Sequence, residues 1–330
     1  MKILFALSLF IFNQPLWAQS FQPITVPMDV VEKVIIRGYK GKITLEEHKL
    51  DMLRIEGRKV GAGSYDQWKF QVRKKGNSLE VVVRGPSDTE DWEKIRQGSI
   101  PSFELKVSMP SRPVEIFWAS GSVESQNWPS SLVLQMTDGD VTLSKGTGEV
   151  KAQVINAKMS VSQQKGNVEI QTYKGDVTLT GIEGALKVFN RSANYKITQL
   201  KGPSEFKNHS GTIVLSEAVG HMSLNNINGI FKIKDLEGSL IGDFQKGSLD
   251  VKAKSLQNFV LNTDSAPVIL DVDRKSGAMV TIRSEKGHLR VPPQLRKISK
   301  GRWTEYKGRL KGDDQGQIKI VSKYGDIVLK

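Results

Sequence analysis

The densest set of side chains that could bind a charged ligand lies between Arg290 and Lys311. Eight cationic residues in this segment are opposed by one acidic residue, Glu305. Two aromatic residues lie among the cations, and a ring can stack on a ligand while a neighbouring cation pairs with its anionic group. The pattern predicts binding of an anionic glycan or headgroup. The candidate binding residues are Arg290, Arg296, Lys297, Lys300, Arg302, Trp303, Tyr306, Lys307, Arg309 and Lys311.

A structural interpretation of the same segment stays open. It could be a solvated excursion from the fold, with Trp303 packed on the end of the core. Nucleic acid would be attracted by the same electrostatics. We expect no nucleic-acid partner, however, because an exported protein seldom meets one.

Export is indicated by residues 1–18, which combine one positive charge, a short apolar run and Ala18 as a small residue before a cleavage point. These are the features of a secretory signal peptide. The apolar run is shorter than the roughly 20 residues that a spanning helix needs, although an uncleaved anchor is the alternative. We expect a periplasmic, cell-surface or secreted protein with no transmembrane segment after cleavage.

The composition limits the kinds of binding partner and of chemistry that we expect. The formal net charge is +13, and residues 271–330 carry 15 Lys and Arg against 7 Asp and Glu. An exported basic protein suits anionic envelope components such as lipopolysaccharide, phospholipid headgroups or acidic glycans. The chain has no cysteine, which excludes disulfides, thiolate metal sites, a cysteine nucleophile and lipid attachment through cysteine.

Catalytic and metal-binding patterns are poorly represented, and we expect neither a cofactor nor a metal ion. The acidic residues are scattered, with the densest group in the stretch 88–93, which reads as a loop. The four histidines share no metal-ligand or triad spacing, and serine-elbow, phosphate-loop and calcium-repeat motifs are absent. The enzymatic alternative is a polysaccharide lyase or hydrolase of the β-helix type, and it needs paired carboxylates on one face.

The elements that must position any site are repeated strands. From Gly139 to Gly247 a small residue recurs every nine positions, usually followed by apolar residues two and four positions later. Alternation is the period of a strand with one buried face, and a fixed repeat of this kind indicates a solenoid. Two alternating classes of turn double the period to 18. One class is mostly polar before the small residue, and the other has an apolar residue two positions before it. These apolar turn residues are Ile182, Leu200, Ala218 and Leu236.

The sequence therefore predicts an all-β fold with a parallel β-solenoid of about 18 residues per coil and two strands per coil. One buried ladder is expected from Val141, Met159, Val177, Tyr195, Ile213, Phe231 and Leu249. A second is expected from Leu143, Val161, Leu179, Ile197, Leu215, Ile233 and Val251. Asn190, Asn208 and Asn226 are also 18 apart and are predicted to form an amide ladder at a turn.

Regions outside the regular array complete the predicted organisation. Residues 19–120 contain short alternating strands without the nine-residue register, and we interpret them as an antiparallel β cap that covers the end of the repeats. The solenoid then covers 121–330. The register breaks at 292–312, the irregular basic segment, and returns in Gly316-Gln317-Ile318-Lys319-Ile320 and Gly325-Asp326-Ile327-Val328-Leu329.

The order of these parts resembles a family of bacterial exported proteins described as putative adhesins, a domain of unknown function with a β-solenoid fold. The matching motifs are Gly41-Lys42-Ile43-Thr44-Leu45, Phe103-Glu104-Leu105-Lys106-Val107-Ser108-Met109-Pro110 and Gly175-Asp176-Val177-Thr178-Leu179. The resemblance covers most of the mature chain. It implies an adhesin-like role and carries over no catalytic residue.

Together these features predict a non-catalytic envelope or surface scaffold that presents stacked strand faces. In this interpretation the basic segment adds affinity for an anionic envelope component or a surface glycan. The alternatives are a polysaccharide-active enzyme and a purely structural envelope protein.

Overall fold

The computed structural model describes residues 18–60, 69–84, 101–273, 276–312 and 316–330, and within them the elements are 24 β-strands. The strands join into one sheet that coils around an apolar core. The predicted all-β solenoid is therefore confirmed. Most of the predicted signal peptide and the acidic stretch 88–93 lie outside the described residues.

The regular array consists of parallel strands in a register of 18 residues. Met159, for example, pairs with Val141 in the preceding coil and with Val177 in the following one. Its strands are β8 (Val114–Gln126), β9 (Leu132–Ser144), β10 (Val150–Lys165), β11 (Val168–Glu183), β12 (Leu186–Asn190), β13 (Asn194–Lys201), β14 (Ser204–Asn208), β15 (Thr212–Asn226), β16 (Ile230–Phe244) and β17 (Ser248–Thr263).

Each coil contributes to two sheet faces. Face A contains the strand segment 150–154 and its register partners in the later coils, and face B contains 158–162 and its partners. Long strands such as β11 bend between the faces at a small residue. Gly175 has φ +115°, and a Cβ there would lie 2.0 Å from the carbonyl oxygen of Ala157 in the preceding coil. Glycine thus allows two successive coils to approach at this bend.

The side chains stack as the 18-residue period predicts. Both apolar ladders are continuous in the strand register, and all their members are buried. The apolar turn residues from Ile182 to Leu236 also pair in register and are buried. The asparagine ladder is confirmed, since Asn190 Nδ2 donates to Asn208 Oδ1 at 2.7 Å and Asn208 Nδ2 donates to Asn226 Oδ1 at 2.8 Å.

The N-terminal region combines antiparallel and parallel pairs. Its strands are β1 (Ala18–Ser20), β2 (Ile24–Pro27), β3 (Lys33–Glu47), β4 (Met52–Val60), β5 (Lys69–Lys75), β6 (Ser78–Arg84) and β7 (Ser102–Met109). The pairs β1–β4, β2–β4, β4–β7 and β5–β6 are antiparallel, as expected for the cap. However, β3 pairs in parallel with β6, β7 and β8. Parallel stacking therefore begins at β3, well before residue 120.

The C-terminal strands are not stacked in chain order. They are β18 (Val268–Val272), β19 (Ala278–Ser284), β20 (Leu289–Arg290), β21 (Arg296–Lys300), β22 (Trp303–Leu310), β23 (Gly316–Ser322) and β24 (Ile327–Leu329). On face A, β23 lies between β17 and β19 and is parallel to both. On face B, β24 lies between β18 and β20. The coil formed by 316–330 is thus inserted between two coils that precede it in the sequence.

Candidate functional site

The segment 292–312 forms a β-hairpin at the C-terminal end of face A. Strands β21 and β22 pair antiparallel through a turn at Gly301, and β22 also pairs antiparallel with β19. Alternation along β22 directs Tyr306 and Leu310 towards the core and Lys307 and Arg309 outwards. The hairpin therefore sorts the candidate residues onto two sides.

The outward side carries a cluster of cations from four strands, which we call the basic surface. Arg296 of β21 is the register partner of Lys307 of β22, and the same row continues through Thr281 of β19 to Lys319 of β23. Neighbouring strands are about 4.8 Å apart, so this row spans roughly 15 Å. The members of the basic surface are Arg283, Arg296, Lys307, Arg309 and Lys319.

Trp303 lies at one end of the basic surface, between two guanidinium groups. The Cζ atom of Arg283 is 4.5 Å from the ring centroid and that of Arg302 is 5.9 Å from it. An Arg302 nitrogen is also 3.5 Å from a carboxylate oxygen of Glu285. Cation–π attraction of this kind stabilises the two guanidinium groups beside the ring. The aromatic residue packed against the core is Tyr306, whereas Trp303 contacts cations on the outer side.

Little acidic charge offsets these cations. Lys307 Nζ is 2.7 Å from Glu305 Oε1, so its charge is partly neutralised within the hairpin. Arg296 and Arg309 are exposed, and among the described residues neither lies within 4.0 Å of a carboxylate oxygen. Two guanidinium groups are thus available to an external anion, each with a planar set of donors.

The structure brings some of the candidate residues together and separates others. Arg296, Trp303, Lys307 and Arg309 share the outward side, and Arg302 joins them from the turn. Lys297 is the register partner of Tyr306 and so has the opposite orientation. The remaining three are Arg290 at the end of β20 in the face B sheet, Lys300 opposite Trp303 in the backbone register, and the exposed Lys311 after β22.

Two members of the basic surface, Arg283 and Lys319, were missed from the sequence. They belong to β19 and β23, which the inserted C-terminal coil places beside the hairpin. Strand alternation alone would have placed both side chains outwards. The sequence does not show, however, that these two strands are adjacent.

The basic surface does not extend along the whole of face A. Continuing the Lys319 row into the array leads to Val260, Ile241 and Ser223. The neighbouring row passes through Asn262 and Asp243. The basic surface is therefore confined to the C-terminal end of the face.

Two further findings concern metal binding and membrane-spanning helices in the described part of the chain. There, no group of three or more His, Asp and Glu side chains is arranged to hold a metal ion. Within the same residues, no helix has the length and apolar character needed to cross a membrane.

Comparison with known proteins gives a family and three distant structural likenesses. No curated protein matches the chain. One similar structure is a putative cell adhesion protein from Clostridium sporogenes ATCC 15579, with 11% identity and a TM-score of 0.24 over 95% of this chain and 99% of the other. A putative lipid binding protein from Parabacteroides distasonis ATCC 8503 has 11% identity and a TM-score of 0.36, covering 94% and 96% of the two chains. A putative adhesin from Bacteroides fragilis NCTC 9343 has 11% identity and a TM-score of 0.24 at the same coverage.

At these TM-scores the three names say nothing about the ligand of this chain. The family comparison is different, since residues 24–330 match the model described as Toastrack DUF4097. This range contains both the array and the basic surface. The chain belongs to the Toastrack DUF4097 family.

Proposed function

We propose that this protein is a non-catalytic, exported, adhesin-like scaffold of the cell envelope or cell surface. It binds an anionic envelope component or surface glycan through the basic surface. The observation that carries the proposal is the row in which Arg296 and Lys307 occupy neighbouring strands and Lys319 lies two strands beyond Lys307 in the same sheet.

The geometry suits a ligand with several anionic groups. Cations on neighbouring strands are separated by about 5 Å, and residues two apart on one strand by about 7 Å. Phosphates or carboxylates spaced along a polymer or a headgroup layer can therefore pair with more than one strand at once. Each Lys or Arg close to an anionic surface contributes about 1 kcal/mol of binding free energy. This contribution decreases as the Debye length shortens from about 10 Å at 0.1 M salt.

The experiment is a salt titration of binding with a charge-matched control. Wild-type protein and the variant Arg296→Ala/Lys307→Ala/Arg309→Ala are incubated with lipopolysaccharide and with vesicles of phosphatidylglycerol or phosphatidylcholine. The control variant Lys158→Ala/Lys196→Ala/Lys232→Ala removes the same charge from face B, where all three side chains are exposed. Co-sedimentation measures the bound fraction between about 0.05 and 0.5 M salt.

We expect binding to the anionic probes only, decreasing as salt rises. The basic-surface variant should bind about 100-fold more weakly, because three contributions of about 1 kcal/mol are lost. Binding that ignores salt, or equal losses in the two triple variants, would contradict the proposal. Absence of binding by all three proteins would instead favour a purely structural envelope protein, and equal binding by all three would exclude the basic surface as the binding site.

The enzymatic alternative is tested separately by incubating the protein with acidic polysaccharides and measuring chain length. Cleavage by the wild-type protein would show that the scaffold is catalytic. A lyase or hydrolase would then require carboxylates that the basic surface does not provide.

A further inference from the structure

A second feature of face A is a groove of about 770 Å³ in the middle of the array, distant in sequence from the basic surface. One side is formed by an outward row of face A that includes Gln171, Phe189 and Lys207. The other side is formed by residues of the corner between face A and face B, among them Tyr173 and Arg191. The groove crosses five coils, which corresponds to roughly 20 Å along the solenoid axis.

The groove has a distinct chemical character. Its lining contains cationic, amide and apolar side chains and no Asp or Glu. Apolar surface is provided by Tyr173 and by Ile155 and Ile227 near the two ends, all of them exposed. Exposed amides are provided by Gln153, Gln171 and Asn225. The groove therefore offers contacts for apolar faces, hydroxyl groups and negative charge side by side.

Arg191 is the cation best placed to bind an anion. Its Cζ atom lies 4.4 Å from the ring centroid of Tyr173, which holds the guanidinium over the ring. Among the described residues no carboxylate oxygen lies within 4.0 Å of it. Lys207, the other cation, is 5.0 Å from the Phe189 ring centroid, but its ammonium is 2.8 Å from Glu205. Its hydrogen bond and charge hold the pKa of the Glu205 carboxyl below its usual value, so this carboxylate offsets the Lys207 charge.

The groove is preformed because its floor is fixed by the asparagine ladder. Asn190 Nδ2 donates to Asn208 Oδ1 and also to the carbonyl oxygens of Ala193 and Ser210, at 2.8 and 3.0 Å. Buried amides with this many partners have little freedom to rearrange. A ligand would therefore bind without first ordering the corner.

We propose that this groove binds a segment of an acidic oligosaccharide, with a uronate carboxylate paired to Arg191. The hydroxyl groups bond to the exposed amides, and the apolar faces of the sugar rings pack on Tyr173 and the two isoleucines. An extended chain fits because the same side-chain positions recur in every coil along the axis. The charge complementarity favours this ligand over a neutral glycan, and the exposed amides favour it over an acidic amphiphile.

The test is calorimetric titration of the full chain with an oligogalacturonate of about six residues and with the same oligomer fully methyl-esterified, which removes the charge and retains the sugar rings. The variants are Arg191→Gln and Tyr173→Ala. Tyr324→Ala is the matched control, because Tyr324 is an exposed tyrosine outside the groove with the Lys286 ammonium 5.3 Å from its ring. Thermal unfolding of each variant checks that the fold is retained.

We expect the acidic oligomer to bind the wild-type protein and the Tyr324→Ala variant equally. The two groove variants and the esterified oligomer should each show at least a tenfold loss. The inference would be overturned if the wild-type protein did not bind the acidic oligomer, or if it bound the esterified oligomer equally well. It would also be overturned if Tyr324→Ala lost as much affinity as the groove variants, or if the groove bound a fatty acid instead. The variant Arg296→Ala/Lys307→Ala/Arg309→Ala should keep its affinity for the oligomer, so failure of the proposed function is distinguishable from failure of this site.

Discussion

Asn190 donates a hydrogen bond from Nδ2 to Oδ1 of Asn208, 2.7 Å away in the next coil. Asn208 repeats the contact with Asn226, and all three amides are buried. Successive coils are therefore joined at this corner by side chains as well as by the backbone. A polar ladder inside the fold is stable only while every member keeps its partners.

Replacing Asn208 with alanine should destabilise the protein. The change removes one hydrogen bond from Asn190 Nδ2 and one from Asn226 Oδ1, both of which keep backbone partners, at about 0.5–1.5 kcal/mol for each bond lost. We expect the free energy of unfolding to fall by roughly 1–3 kcal/mol, measured by chemical denaturation. Asn225→Ala, at an exposed position in the neighbouring strand β15, should change it by less than about 0.5 kcal/mol. Similar losses in the two variants would mean that the ladder adds no stability.

Gly139→Ala should be strongly destabilising. Gly139 has φ +132°, and a Cβ there would lie 1.9 Å from the carbonyl oxygen of Gly121, so the two coils must separate. We expect a loss of roughly 3 kcal/mol or more, or failure to accumulate folded protein. Gly76→Ala is the control, since Gly76 has φ +59° with nothing within 4 Å of the added Cβ, and it should cost about 1 kcal/mol. A thermal melt that ranks Gly76→Ala as the more harmful change would contradict this account.

At the corner opposite the asparagine ladder, one residue in each coil has a positive φ. These residues are Asn127, Lys145, Gln163, Gly181, Gln199, Glu217 and Asp235. Gln199 has φ +59°, which a β-branched residue tolerates poorly. Gln199→Val should therefore lower stability by roughly 1–2 kcal/mol, whereas Gln199→Gly should change it by less than about 1 kcal/mol. Denaturation midpoints of the two variants give the comparison, and the opposite order would exclude backbone strain as the cause.

Glu80 should make stability depend on pH. Its side chain is buried, and an Arg73 nitrogen lies 2.6 Å from it while Arg37 Nε lies 3.5 Å from it. Burial raises the pKa of this carboxyl, but the hydrogen bond from Arg73 and the charges of Arg73, Lys75 and Arg37 outweigh burial and leave the pKa below its usual value. A lowered folded-state pKa contributes stability above the unfolded value of about 4.3, and this contribution is lost as pH falls through the folded pKa.

The matching variant is Glu80→Gln. At pH 7 we expect it to be less stable than the wild-type protein by roughly 1–3 kcal/mol, because charge-assisted hydrogen bonds are lost. The difference should narrow as pH falls below the unfolded value of about 4.3 and through the lower folded-state pKa of the wild-type carboxyl. Denaturation at several pH values measures it, and a constant difference across this range would show that the charge of Glu80 is not responsible.

The regular part of the fold could be predicted because its period is strict. Positions 18 apart must stack once coils are parallel, so the apolar ladders and the asparagine ladder follow from counting. The pairing of β3 with β8 could not be predicted, since Val34 and Val114 are 80 residues apart and no repeat links them. Such strands are joined through long connecting segments, and the length of a connecting segment does not determine which residues of the two strands will pair.

The candidate site was predictable only in part, for a related reason. The density of charge identified Arg296, Lys307 and Arg309, and strand alternation accounts for their common side. Arg283 and Lys319 join them through tertiary pairing alone. The groove was not foreseen, because Tyr173 and Phe189 belong to different rows whose relation depends on the bend between them.

The inserted coil has a consequence for the order in which the chain can fold. Coils up to β18 can add to the stack one after another as the chain emerges from the N-terminus. Strand β19 cannot join the stack at that stage, because β23 lies between it and β17 and residues 316–330 are synthesised later. Lys319 is itself part of β23, so the basic surface is assembled in the final step of folding. A partly synthesised chain therefore has the stacked coils before it has the complete basic surface.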